Sequence, residues 1–146
     1  MSQAFSGYGL FLKQGNGDGS ISPFVPETFT AITEVQTVEL TGSKVDLVDV
    51  THAQSPQARR EFLATLIDSG DLSFTANFIP SDPTQVGLQA TMDARLAVNW
   101  EIVLPGALGT FTFAGIVSSI DHSLDFSKEA KLTCKVKITG ELTFTA

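Results

Sequence analysis

KLTCKVKITGELTFT, residues 131–145, is the stretch that decides the fold class. Leu132, Cys134, Val136, Ile138, Leu142 and Phe144 fall on one side of an extended backbone, while Lys131, Thr133, Lys135, Lys137, Thr139, Glu141, Thr143 and Thr145 fall on the other. Successive side chains of a strand point to opposite faces, so this period of two is the pattern of a half-buried β-strand. Gly140 sits in phase with the apolar set and marks a bend or bulge that leaves the register unchanged.

The same alternation recurs upstream. In Asp71 to Ile79, Leu72, Phe74, Ala76 and Phe78 share a face, and in Leu96 to Leu104 so do Leu96, Val98, Trp100, Ile102 and Leu104. Thr110 to Ser118 follows the turn at Pro105-Gly106 and is expected to pair with the preceding strand as a hairpin. Thr28 to Ile32, Val35 to Leu40 and Lys44 to Val50 are shorter β-prone runs, and Thr41-Gly42-Ser43 predicts a hairpin between the last two. Ser55-Pro56 reads as a helix start, and Ala58, Phe62, Leu63 and Leu66 recur at helical spacing, which predicts a helix over Pro56 to Ile67. Asp82-Pro83-Thr84-Gln85 predicts a short second helix to about Met92, with Gln85 reaching back to the cap. Gly15 to Pro26 is punctuated by glycines and prolines and is expected to be a loop, within an N-terminal arm covering residues 1–27. The chain therefore reads as one mainly β domain, residues 1–146, with one flanking helix and a short second one.

Composition agrees: only 17% of the 146 residues are charged, eleven are Phe, and Thr and Val recur throughout. A formal net charge of −7 opposes binding to nucleic acid phosphates, which depends on Lys and Arg displacing counterions. The single cysteine, Cys134, excludes an internal disulfide or a thiolate cluster, fits synthesis in a reducing compartment, and reads as a small core residue. No basic segment leads into an apolar run at Met1 to Gly9, and no run approaches a membrane span, so neither a cleaved signal nor a membrane location is expected.

Catalytic and metal chemistry finds little to work with. His52 and His122 are the only histidines, neither has a metal-ligand partner at helical spacing, and no nucleophile-elbow motif accompanies them. Asn16, Asp18, Ser20, Ser22 and Glu27 imitate a calcium loop, but Ile21 stands where that loop needs glycine. The glycines at 15, 17 and 19 lack the Lys and Ser/Thr of a phosphate-binding loop. No enzyme activity, cofactor or metal is expected. Lys131, Lys135 and Lys137 line the polar face of one strand, either as a solvated face or as partners for acidic groups of a neighbouring subunit.

The order of these signals carries a resemblance. Val50-Thr51 with Ser55 precedes Asp68-Ser69-Gly70-Asp71-Leu72-Ser73-Phe74, followed by Asn77-Phe78 with Asp82 and Gln85. Trp100-Glu101-Ile102 then leads to Pro105-Gly106 and Phe111-Thr112-Phe113-Ala114-Gly115-Ile116-Val117, and a strand from Val136 to Thr143 with Thr139-Gly140 closes the series. From about Phe29 onward the chain resembles the major tail tube proteins of long-tailed bacteriophages with noncontractile tails.

That resemblance implies two packed antiparallel sheets, sandwich- or barrel-like, and a virion subunit assembled in the host cytoplasm. Six copies would close into a ring, and rings would stack head to tail into a tube that conducts DNA. It also implies a tape measure protein inside the tube and tail-end proteins as partners. Four strands per copy would give a 24-stranded lumen about 48 Å across at the backbone, and six copies at −7 each would carry −42, repelling passing DNA. The expected ring contacts are Ser43, Lys44, Asp46, Asp49, Thr51, His52 and Ser55, together with Lys131, Lys135 and Lys137. A ring-forming secretion tube component is one alternative. Another is a monomeric β-sandwich that binds a ligand through Trp100 and Tyr8.

Overall fold

The structure, a computed structural model, describes residues 9–15 and 28–146. Its strands are β1 (Phe11–Gly15), β2 (Phe29–Ala31), β3 (Val35–Thr41), β4 (Lys44–Asp49), β5 (Phe62–Asp68), β6 (Asp71–Asn77), β7 (Val98–Val103), β8 (Thr110–Ser123) and β9 (Lys131–Thr145). The α-helix, α1, spans Pro83–Ala94. Seven strands form an antiparallel sheet in the order β2-β1-β7-β8-β9-β6-β3, and β4 and β5 form a separate two-stranded ribbon.

The large sheet rolls over its own core. Residues 32–34 join the strands at its two edges: Ile32 N donates to Leu12 O at 2.9 Å, and Asn77 N donates to Glu34 O at 3.1 Å. Inside lie Leu72 and Phe74 of β6, Trp100 and Ile102 of β7, Phe113 and Val117 of β8, and Leu132, Cys134, Val136 and Ile138 of β9. These are the apolar positions of the alternating runs. Trp100 is fully buried and donates from Nε1 to Gly115 O at 3.3 Å. A Cβ on Gly115 would lie 2.4 Å from Val136 Cγ1, so the indole, β8 and β9 meet here only because residue 115 is glycine.

Two bulges set the phase of the long strands. Thr112 faces Thr143 whereas Ala114 faces Thr139, so β9 carries two extra residues around Gly140; an even number leaves its apolar face unchanged, as expected. Val117 faces Val136 but Ser119 faces Lys135, so β8 carries one extra residue near Ser118, and the inward set switches from Phe113, Gly115 and Val117 to Ile120. A reading by alternation therefore stops at Ser118, although the strand runs on to Ser123.

Helix α1 closes one side of the roll. Asp82 Oδ1 accepts from Thr84 N at 2.8 Å as the N-cap, Pro83 follows, and Leu88 is completely buried. Gln85 does not reach back to the cap. Its buried amide accepts from Ile79 N at 2.8 Å and donates to Asn77 O at 2.7 Å, tying the helix to the end of β6.

Three local expectations are corrected. Pro56–Ala58 is a single 3-10 turn broken by Gln57 at φ 57°, and the following residues form β5, so no helix spans Pro56 to Ile67. The β-branched Thr65 and Ile67 and the aromatic Phe62 suit an extended chain, and pairing with β4 satisfies the backbone. The β3–β4 hairpin does not form: β3 pairs with β6 and β4 with β5, because Thr41-Gly42-Ser43 carries the chain out of the sheet. Phe11–Gly15, assigned to the N-terminal arm, is instead a strand between β2 and β7. The calcium-like residues Asn16 to Glu27, most of the Gly15 to Pro26 loop, and Tyr8 lie outside the described residues.

Candidate assembly surface

The ribbon is the part of the molecule whose residues do not behave as a monomer's should. Every residue of β4 is exposed, as are all but the last of β5. Apolar side chains nevertheless dominate it: Val45, Leu47, Val48, Phe62 and Leu63 stand in solvent, with Leu66 75% and Ile67 73% exposed. Leu47 and Val48 are adjacent on one strand and so point to opposite faces, which leaves neither face polar. An isolated two-stranded ribbon is at best marginally stable in water, and a contiguous exposed apolar surface marks an interaction site.

At its base the ribbon is pinned to the sheet. The chain leaves through Gly42, at φ 82°, and returns through Gly70, at φ 91°, and the two segments cross so closely that a Cβ on Gly70 would lie 2.1 Å from Thr41 O. Asp68 Oδ1 accepts from Gly70 N at 2.9 Å and from Lys137 Nζ at 2.8 Å. Lys137 also lies 3.6 Å from Asp71, so one cation of β9 bridges both sides of the crossing. The Lys137 ammonium holds the Asp68 carboxyl below its usual pKa, helped by the Gly70 amide, and the Asp68 hydrogen bond raises the pKa of Lys137.

The loop beyond β4 is a knot of local hydrogen bonds. Thr51 Oγ1 accepts from Glu61 N at 2.8 Å, and Thr51 N donates to Asp49 Oδ1 at 2.9 Å; the Thr51 hydroxyl, helped by that amide, lowers the Asp49 pKa. Ser55 Oγ donates to Glu61 Oε2 at 2.8 Å and accepts from His52 N at 3.0 Å. His52 Nε2 is 3.5 Å from the same Glu61 oxygen, while its Nδ1 accepts from Gln54 N. The loop therefore holds its own shape where the flanking ribbon has little to pack against.

Seven of the ten expected contact residues, Ser43, Lys44, Asp46, Asp49, Thr51, His52 and Ser55, fall together on this ribbon and loop. The three lysines do not join them as a group. Lys137 is committed to Asp68 within its own chain, and Lys131 lies 3.6 Å from Glu129 near the opposite end of β9. Sequence reasoning missed Leu47, Val48, Leu63, Leu66 and Ile67. Their signal is apolar residues on both faces of two short runs, which the sequence reads as a hairpin strand over Lys44 to Val50 and a helix over Pro56 to Ile67. Trp100 cannot serve as a ligand-stacking platform, because it is wholly buried.

Comparison with known proteins fits this architecture. The family model described as lambda phage tail tube protein matches residues 11–145. No curated protein sequence gives a match. Among solved structures, the tail of an empty gene transfer agent particle, refined helically with C6 symmetry, superposes with a TM-score of 0.73 at 21% identity, covering 98% of this chain and 100% of that one. The SPP1 tail tube gives a TM-score of 0.63 at 12% identity, covering 91% and 74%. The sheath-tube complex of an extracellular contractile injection system gives 0.73 at 10% identity, covering 99% and 93%. At these identities the superpositions establish a shared fold, and the family match spans nearly the whole sequence. The chain belongs to the lambda phage tail tube protein family and is a structural subunit of a tail tube.

Proposed function

We propose that copies of this chain close into hexameric rings, that the rings stack head to tail through the β4–β5 ribbon and the loop after it, and that the resulting lumen conducts DNA at ejection. The observation that carries this reading is the ribbon itself, apolar on both faces and exposed along its length. A surface of that kind marks an interaction site, and a head-to-tail contact whose rotation does not close repeats along an axis. The strands β2 and β3 at the borders of the large sheet offer further backbone for lateral pairing. On this reading Ser43, Lys44, Asp46, Asp49, Thr51, His52 and Ser55 meet a neighbouring copy, as does Lys135, which is exposed on β9 and has no ion pair among the described residues. The role is structural, without catalysis, in one tail-tube domain of residues 1–146 within the virion tail. The subunit is assembled in the host cytoplasm and meets a tape measure protein and tail-end proteins. An acidic chain, −7 per copy, favours passage of DNA without specific binding.

Negative-stain electron microscopy of the purified protein tests this directly, with rings and tubes expected. Leu66→Asp should abolish tubes and leave the circular dichroism spectrum and thermal midpoint unchanged, since Leu66 is mostly in solvent. A strictly monomeric wild-type chain at high concentration would overturn the proposal.

A further inference from the structure

The turn between β8 and β9 ends in an aromatic with no support. Phe126 is fully exposed and Leu124 nearly so, yet the turn that presents them is built: Asp125 Oδ1 accepts from Ser127 N and from Ser127 Oγ, both at 2.9 Å. Its base is tied to the sheet by Phe78 N donating to Ala130 O at 2.9 Å. Beside Phe126 stands Lys128, which has no ion-pair partner among the described residues. A shaped turn holding Leu, Phe and Lys outward has the composition of an interface anchor.

A complementary cavity exists on the same chain. About 620 Å³ in volume, it lies between the ribbon base and β9, is lined by Leu66, Ile67 and Ile138 with Ser69, Thr139, Gly140 and the Lys137-paired Asp68, and also bears Asp46 and Glu141. Neither of those carboxylates has an ion-pair partner among the described residues. The turn and the cavity cannot meet within one molecule. Ile138 lies seven positions beyond Lys131 on β9, a span of about 23 Å. The turn projects from the start of that strand, and the cavity lies about midway along it, at the ribbon base.

We propose that Phe126 of one copy seats in the Leu66, Ile67 and Ile138 cavity of the next copy along the strand axis, with Lys128 facing Asp46 and Glu141. This contact rests on the tube reading above and assigns the residues that join successive rings. The occupant is a second copy because both halves of the contact lie on this chain, about 23 Å apart along β9, with apolar side chains on each half and a cation on one to meet carboxylates on the other. Such a heterologous contact generates a filament.

The decisive test is covalent. Phe126→Cys combined with Ile67→Cys should, on mild oxidation of assembled protein, yield a ladder of disulfide-linked multimers on a non-reducing gel. The two thiols are too far apart to pair within one chain, and buried Cys134 does not interfere. Phe126→Ala should leave rings intact and raise the concentration needed for tubes at least about tenfold, as loss of a central anchor does. Lys128→Glu should act in the same direction, and adding Glu141→Lys should restore tubes. No ladder from tubes that form normally, or Phe126→Ala tubes at the wild-type concentration, would overturn this contact and leave the tube reading standing. Absence of tubes from the unmodified chain would overturn both.

Discussion

Gly70→Ala probes how the ribbon is held, and its cost can be worked from two separate terms. At φ 91° the alanine must adopt a left-handed backbone, which costs roughly 1–2 kcal/mol. Its Cβ would also lie 2.1 Å from Thr41 O, 2.8 Å from Ser43 N and 2.9 Å from Gly42 C, all main-chain atoms that cannot rotate away. Overpacking of that kind adds roughly 1–3 kcal/mol. The total, about 2–5 kcal/mol, corresponds to a midpoint lowered by roughly 6–20 °C in a chain of this size. Gly106→Ala is the matched control, because Gly106 has φ 67° with nothing within 4 Å of its would-be Cβ, so it carries the first term alone. Thermal unfolding followed by circular dichroism, at a concentration too low for assembly, separates the two. If the Gly70 and Gly106 variants melt within about 2 °C of each other, the steric term is absent and the crossing is not the rigid base inferred here.

Two further outcomes follow from the ionisable groups. The Asp68 carboxyl, lowered by Lys137, should contribute stability above the ordinary carboxylate pKa of 3.8 and lose it only as pH falls through its depressed value. Lys137, raised by Asp68, should contribute below the ordinary lysine pKa of 10.5 and lose it as pH rises through its elevated one. The clamp is thus expected to be constant across neutral pH, and an NMR titration placing Asp68 at or above 3.8 would contradict it. Cys134, whose thiol is pushed up to about 12 by burial, should resist a thiol reagent at pH 8 in the native protein and react fully in denaturant.

The sequence made the interior legible because the interior obeys a period. Leu72, Phe74 and Ala76, Trp100 and Ile102, and Leu132 to Ile138 all lie where alternation puts them, and Asp82-Pro83 correctly opens the helix. What was not legible has a physical cause in each case. An extra residue near Ser118 switches the inward set of β8, so a reading by period stops there. Phe62, Leu63 and Leu66 match helical spacing by coincidence, and only pairing with β4, a non-local contact, makes them a strand. The charged and polar residues of the exposed ribbon and its loop were singled out, since polar residues near turns stand out. Its apolar members were not, because an exposed leucine and a buried one look the same in a sequence until the fold shows which has no neighbour.

The ribbon's lack of backing has a kinetic side. A free subunit carries a two-stranded element held by its own pairing and by its crossing, so on the stacking proposed above the first encounter between two subunits must order both partners, at an entropic cost. A subunit arriving at an existing end meets a partner already ordered, and only one side then bears that cost. On that proposal growth on a template is faster than spontaneous initiation, and a pool of subunits stays dispersed until a starting surface is supplied.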